Sequence, residues 1–396
     1  MYLTLERRNA MTEDKHNAYS LNILYAASWT VQACMGLIGI AIPIYAYLLG
    51  APPFFLGLIG AAGGITYSIM PIIFGKFSDR LARKRAVLTS MAFYALACIL
   101  YILSQDFVTL IFIRLIDAAS QALFWPNVEA MIAEGMGEGT LEKALSKFNV
   151  SWGSAMTVSP LIGGLLMSLY NNVKAPIYAS LMGVILTFPM ILSVHSTSVN
   201  PKAGASPEVL RAKSHSSVLV ALISAFSFGF VTGIIFAFFP AFGTYLGMQP
   251  FEIGAVLFTL GLFKTLIFSQ ATRIEAKFKT GPVFLLGSAL AASSLIIIAL
   301  GSTTTVFLLS LAVLGLGTGL GYSESIFLTL REAGSSRGFA AGAFESFIGL
   351  GYFLGPLMGG LTSEASLRTP YMLGALVSIT VFFAQFLFIK KAELKL

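Results

Sequence analysis

Arg114, Asp117, Glu129, Lys264, Glu324 and Glu345 stand inside stretches that are otherwise almost wholly apolar. An ionisable side chain in such surroundings is costly, so it is kept where it is paired or where it handles an ion or a solute. A carboxyl group there can load and unload a proton, and an ammonium can hold an anion. Arg114, Asp117, Gln121, Trp125 and Glu129 recur in steps of three and four residues. On a helix they share about a third of the circumference. Tyr25, Trp29, Gln32, Gly36 and Gly39 form a second stripe of the same kind. Two readings of the first stripe stand open: one wall of a solvated path, or an Arg114–Asp117 pair that only satisfies itself. Lys264 is open in the same way, toward an anionic substrate or toward pairing with Glu345.

The elements that must hold these residues are membrane helices. Hydrophobic residues make up 56% of the 396, and charged ones only 11%. That is less than half the ~25% usual in a soluble domain. The mean hydropathy is +0.82. A span needs about 20 apolar residues, and such segments fall at 21–49, 54–75, 86–104, 107–134, 144–168, 175–194, 217–247, 251–272, 281–301, 304–330, 339–363 and 370–389. The prediction is an all-α membrane protein of about twelve transmembrane helices. It divides into an N-terminal segment (1–20), a six-helix bundle (21–194), a polar central loop (195–216), a second six-helix bundle (217–389) and a short tail (390–396). No cleavable signal sequence is evident in the first twenty residues.

Lys and Arg crowd onto alternate connections, among them Lys76–Arg85, Lys143–Lys147, Lys202–Lys213, Arg273–Lys279 and Lys390–Lys395. The opposite side carries only Lys174 and Arg368. Basic loops stay in the cytoplasm, so both termini are expected there, in a multi-pass cytoplasmic-membrane protein. The net charge of +7 is explained by these loops, and no nucleic-acid partner is implied.

The halves repeat. Pro43, Gly50, Pro53, Phe54 and Gly57 recur 197 residues later as Pro240, Gly247, Pro250, Phe251 and Gly254. Phe148, Gly153, Pro160, Gly163 and Gly164 recur 196 residues later as Phe344, Gly349, Pro356, Gly359 and Gly360. Duplicated bundles with a solute site between them are a transporter architecture. The repeat also sets Glu324 against Glu129, and Asp117, Glu129 or Glu324 is the expected proton carrier.

The loop Gly75–Arg85 reads G-K-F-S-D-R-L-A-R-K-R. It resembles the signature G-x-L-x-D-R-x-G-R-K/R of the major facilitator superfamily (MFS), with Phe77 for a Leu and Ala82 for a Gly. The resemblance extends over the whole chain and implies two pseudo-symmetric bundles, a central cavity lined by helices 1, 4, 7 and 10, and alternating access. It also implies a gate in which Asp79 meets the start of helix 11 while Arg80 and Arg83 pair with Glu134. A solvated basic loop that only fixes topology is the competing reading. The family's G-x-x-x-G-P-x-x-G-G motif is complete on helix 11 (Gly351, Gly355, Pro356, Gly359, Gly360). On helix 5 it is partial (Pro160, Gly163, Gly164, with Ala155 and Ser159 for glycines). In the family the helix 5 copy marks antiporters; helix packing alone is the other reading.

No catalytic, metal or cofactor set is found. Cys34 and Cys98 are isolated, and His16, His195 and His215 lie outside the spans. Gly334–Gly338 fits G-x-S-x-G by chance, and no Walker motif occurs. The expectation is a secondary active transporter of a small molecule, driven by protons or another coupling ion and acting as a monomer in the lipid bilayer. Efflux of hydrophobic compounds is favoured, with metabolite or sugar uptake or exchange as the alternative and a non-transporting membrane sensor as a remote one. The phenylalanines of helix 7 (Phe226, Phe228, Phe230, Phe236, Phe238, Phe239) are expected mainly to face lipid, with an aromatic, adaptable pocket as the other reading.

Overall fold

A computed structural model of the protein describes residues 2–78, 83–134, 141–194, 215–332 and 337–391. Among these, twelve helices and no strand occur: α1 (Tyr2–Leu48), α2 (Pro53–Ser78), α3 (Arg83–Leu103), α4 (Phe107–Glu134), α5 (Leu141–Tyr170), α6 (Ala175–Ser193), α7 (His215–Tyr245), α8 (Pro250–Lys277), α9 (Thr280–Leu300), α10 (Thr304–Glu332), α11 (Arg337–Ser363) and α12 (Thr369–Lys391). Eleven are long and apolar enough to cross a bilayer. The exception is α11, rich in glycine and carrying Glu345.

Several helix ends run past the spans read from the sequence, α8 continuing to Lys277 rather than 272. The first helix begins at Tyr2 rather than 21, its apolar part starting at Tyr19. Residues 2–18 contain no Gly or Pro, so nothing stops the helix from running on past the apolar core. Likewise α12 continues through Lys390 and Lys391, whose charges suit the negative end of a helix dipole. The central loop, expected at 195–216, lies outside the described residues except for the first turn of α7.

The duplication is visible in the turns. After α1, Gly50 takes φ +77°, and after α7, Gly247 takes φ +80°, a backbone region that favours glycine. Each closes the same cap. Gly50 N–H donates to Tyr47 O and Ala51 N–H to Ala46 O; Gly247 N–H donates to Thr244 O and Met248 N–H to Gly243 O. These paired bonds satisfy the last carbonyls of a helix. Pro53 and Pro250 then start α2 and α8, where a missing N–H costs nothing.

The two cations stranded on the far side, Lys174 and Arg368, are structural. The Lys174 ammonium donates to Ile102 O and Ser104 O at the end of α3, and lies 4.8 Å from the Tyr45 ring centroid. Arg368 donates to Ala299 O and Gly301 O at the end of α9, and lies 5.3 Å from the Phe242 ring centroid. Both neutralise orphan helix carbonyls and stack on an aromatic ring.

The core is continuous through the molecule. Phe230, Phe238 and Phe239 are buried within it, at 1%, 0% and 0% exposure, and Phe228, at 8%, is buried in a smaller cluster with Ala225, Phe344 and Ile348. This corrects the expectation that they face lipid: α7 packs against α10, α11 and α12 and also touches α1 and α2.

Candidate functional site

The two bundles meet along two seams, α2 against α11 and α5 against α8. A methyl built on Gly57 would lie 2.6 Å from Gly360 Cα, and one on Gly64 would lie 2.6 Å from Phe353 N. On the other seam, a methyl on Gly254 would lie 3.1 Å from the Pro160 carbonyl carbon, and one on Gly261 would lie 3.0 Å from Thr157 Cα. The pairs correspond through the repeat: Gly57 with Gly254, Gly64 with Gly261, Pro160 with Pro356. Backbone approaches backbone at both seams because nothing larger than hydrogen stands between them. Beyond the glycines, Phe251 N–H donates to Ser168 Oγ, and the Thr157 and Thr265 hydroxyls bond to each other at 3.0 Å. These contacts begin at the end opposite the termini and run inward to Ser68 and Gly349, where a methyl on the glycine would lie 2.5 Å from the hydroxyl.

The G-x-x-x-G-P-x-x-G-G residues of α11 serve the same packing. A methyl on Gly351, Gly355 or Gly359 would meet Phe230 N, Phe230 Cα or Phe238 at 2.6, 3.0 and 2.8 Å. Pro356 and Gly360 turn toward α2. Gly163 of α5 lies against Ile40 of α1, and Gly164 against the start of α8.

Toward the end that holds the termini the arrangement differs. Glu129 on α4 and Glu345 on α11 are solvent-accessible, yet both are surrounded closely by protein. That combination describes the wall of a cleft. The two carboxylates come from different bundles and lie within electrostatic reach of each other. Tyr67 of α2 is close enough to interact with both, as is Tyr322 of α10. Trp29 is 38% exposed, and Tyr25, Gln32 and Trp125 are half-buried. Trp125 packs edge-on against Phe124 and Phe148 at 5.1 and 6.0 Å.

The first stripe on α4 resolves into two parts. Asp117, fully buried, is clamped by Arg114. Gln121 donates to its other oxygen at 2.9 Å, and the Tyr101 hydroxyl donates at 3.4 Å. Gly63 of α2 leaves room for the guanidinium, since a methyl there would lie 2.7 Å from Arg114 Nε. Glu129 lies about three turns further along and belongs to the cleft. Glu324 is buried at 3% exposure. The offset of 197 that matches the seams pairs Glu129 with Ile326 instead. The expected Glu129–Glu324 correspondence is therefore not reflected in their surroundings.

Lys264 on α8 is 5% exposed. It forms no ion pair with Glu345, nor with any other carboxylate among the described residues. Its ammonium lies 5.4 Å from the Phe228 ring centroid. Of the gate residues, Gly75 lies on α2 and Arg83 begins α3 and is half-buried; Asp79, Arg80 and the side chain of Glu134 lie outside the described residues. Sequence reasoning passed over Tyr67, Tyr322 and Tyr352. The offset of 197 carries Tyr67 onto Lys264 and Trp125 onto Tyr322, so mapping the polar stripes through the repeat would have found two of them.

The sequence model of the Major Facilitator Superfamily matches residues 24–344 and again 221–395. The chain belongs to this superfamily. An uncharacterized MFS-type transporter of Methanocaldococcus jannaschii is 21% identical, over 93% of this chain and 98% of its own. Quinolone resistance protein NorA of Staphylococcus aureus is 21% identical, over 90% and 93%. Multidrug resistance protein 1 of Bacillus subtilis is 23% identical, over 80% and 82%. In structure, a variant of the nucleoside transporter NupG matches with a TM-score of 0.79 at 13% identity, covering 93% of this chain and 99% of that one. A bacterial homolog of the human lysosomal transporter Spinster, inward-facing and occupied, gives 0.79 at 13%, over 95% and 97%. At those identities the structural likeness speaks to fold. This MFS protein is a multi-pass membrane transporter of small molecules, and not an enzyme.

Proposed function

We propose that this MFS protein exports hydrophobic aromatic compounds across the cytoplasmic membrane by alternating access, driven by protons entering in exchange. The observation that carries the reading is the Glu129–Glu345 pair, one carboxylate from each bundle, facing a cleft whose opposite end is closed by the glycine seams. Like charges so placed repel, and in a protein-walled cleft the repulsion is poorly screened. Taking up one proton relieves it, so proton loading is tied to how closely the bundles approach. Rocking about the seams would move the pair from one side of the membrane to the other. The aromatic residues around Tyr322 supply an apolar surface for a flat substrate. The resistance activities named for two relatives, NorA and Multidrug resistance protein 1, favour export. The basic loops orient the cleft and both termini toward the cytoplasm, with Asp79, Arg80, Arg83 and Glu134 acting as the gate on that side. Asp117, fully hydrogen-bonded, is assigned to holding α3 and α4 together. The protein works as a monomer.

The test is accumulation of Nile red and ethidium in an efflux-deficient bacterium expressing the protein, with and without a protonophore. Expression should lower accumulation of at least one dye, and the protonophore should abolish the effect. Replacing both carboxyls, Glu129→Gln with Glu345→Gln, should remove proton-driven export while the protein stays in the membrane. Dye export by the double variant at the wild-type rate, or no export by the wild type, would refute the proposal.

A further inference from the structure

Lys264 occupies an unusual position. It stands at the middle of α8, about 21 Å along the helix axis from Pro250 at 1.5 Å per residue. Its four-carbon stem is too short to carry the ammonium to either membrane surface by snorkelling. The residue is 95% buried, the complement of its 5% exposure. An ammonium out of water costs several kcal/mol unless it is paired, and intramembrane cations normally pair or mark a solute path. Among the described residues, Lys264 has no carboxylate at ion-pair distance.

What surrounds it is aromatic. Phe228 of α7 lies beneath the ammonium. The Phe228 ring is 4.8 Å from Tyr322 of α10 and 6.5 Å from Tyr352 of α11. Tyr322 in turn stacks at 5.3 Å on Phe268 and at 5.4 Å on Phe344. Four helices of one bundle thus converge on one charge. The backbone that carries it is packed closely: a methyl on Gly315 would lie 3.1 Å from Lys264 N, and one on Gly319 would lie 3.3 Å from Lys264 O. The small residues bring α10 against α8 and leave the ammonium directed toward the rings. Tyr322 and Tyr352 stay half-buried and interact electrostatically with Glu345, so the cluster adjoins the cleft.

We infer that Lys264 and the rings of Phe228, Tyr322 and Tyr352 form an anion-binding subsite, and that the transported compound is an aromatic acid. The rings stack on the flat body, and the ammonium, which has no carboxylate partner among the described residues, takes the ionised acid group. This rests on the export reading for the class of compound and adds its charge. A charge-assisted hydrogen bond in an enclosed site separates acid from neutral analogue by about tenfold or more.

The experiment measures equilibrium binding of radiolabelled naphthoate and its neutral isostere naphthamide to purified full-length protein in lipid nanodiscs. Wild type should bind the acid at least about tenfold more tightly than the amide. Lys264→Gln should abolish that preference while leaving amide affinity unchanged, which also shows that the variant is folded. Lys264→Arg should keep the preference. Equal binding of acid and amide by wild type, no binding of either, or an acid preference that survives Lys264→Gln would each overturn the inference. The wild-type ratio alone is decisive should the variant fail to fold. Dye export together with a missing acid preference sinks this inference and leaves the export reading standing; an acid preference without dye export keeps the anion subsite and sinks the export reading.

Discussion

In the first bundle Arg114, Asp117, Gln121 and Tyr101 close on one another. In the second, the positions 197 residues on from Arg114 and Asp117 are Leu311 and Leu314, both buried, and the enclosed ionisable residues are Lys264 and Glu324 instead. The scaffold of the two halves has stayed alike to the level of matched glycines, matched caps and matched cations on helix ends. What has diverged is where charge is buried and whether it is satisfied. One half closes Arg114, Asp117, Gln121 and Tyr101 into one polar network; the other is apolar at the positions matching Arg114 and Asp117.

The largest effect should come from breaking the finished network. Asp117→Leu leaves the Arg114 charge uncompensated and should cost about 3–5 kcal/mol of stability, seen as a large drop in thermal unfolding temperature in detergent. Adding Arg114→Leu, which copies the leucine pair of the other bundle, should recover most of the loss. A double variant as unstable as the single one would mean that the network does more than satisfy itself.

The seams give a smaller effect, on transport rather than folding. Gly57→Ala and Gly254→Ala each push a methyl against backbone of the opposite bundle. Each should favour the state in which that end is open and cut export by about tenfold, because a closed-state penalty near 1.4 kcal/mol shifts the population by that factor. Matched sites should show matched losses. Gly153→Ala, whose methyl meets nothing, should stay near wild type.

Smallest is the effect of uncapping α3 or α9. Lys174→Gln and Arg368→Gln each remove a cation from a helix C-terminus, worth about 1 kcal/mol. Both should lower the unfolding temperature by similar amounts and leave the acid preference of the substrate site unchanged.

Much of this is legible in the sequence. The six-plus-six repeat could be read because glycine and proline spacing survives where side-chain identity does not. The Gln121–Asp117 and Arg114–Asp117 contacts could be read because four- and three-residue steps bring side chains together on a helix. The cleft could not. Tyr67, Glu129 and Glu345 come from three helices, and no local period encodes the register of one helix against another. Phe238 and Phe239 were misassigned to lipid for a related reason: lipid and protein core select the same apolar residue, so composition cannot separate them. Glu324 was matched to Glu129 at a spacing of 195 residues, two short of the true repeat, which rotates a helical residue by more than half a turn.

The molecule's three indoles, Trp29, Trp125 and Trp152, all belong to the first bundle. Their ultraviolet emission therefore watches one rocking body and is blind to the interior of the other. A quencher introduced on α8 or α11 would dim them according to how near the partner bundle stands, giving an optical ruler for the conformational cycle that needs no attached dye.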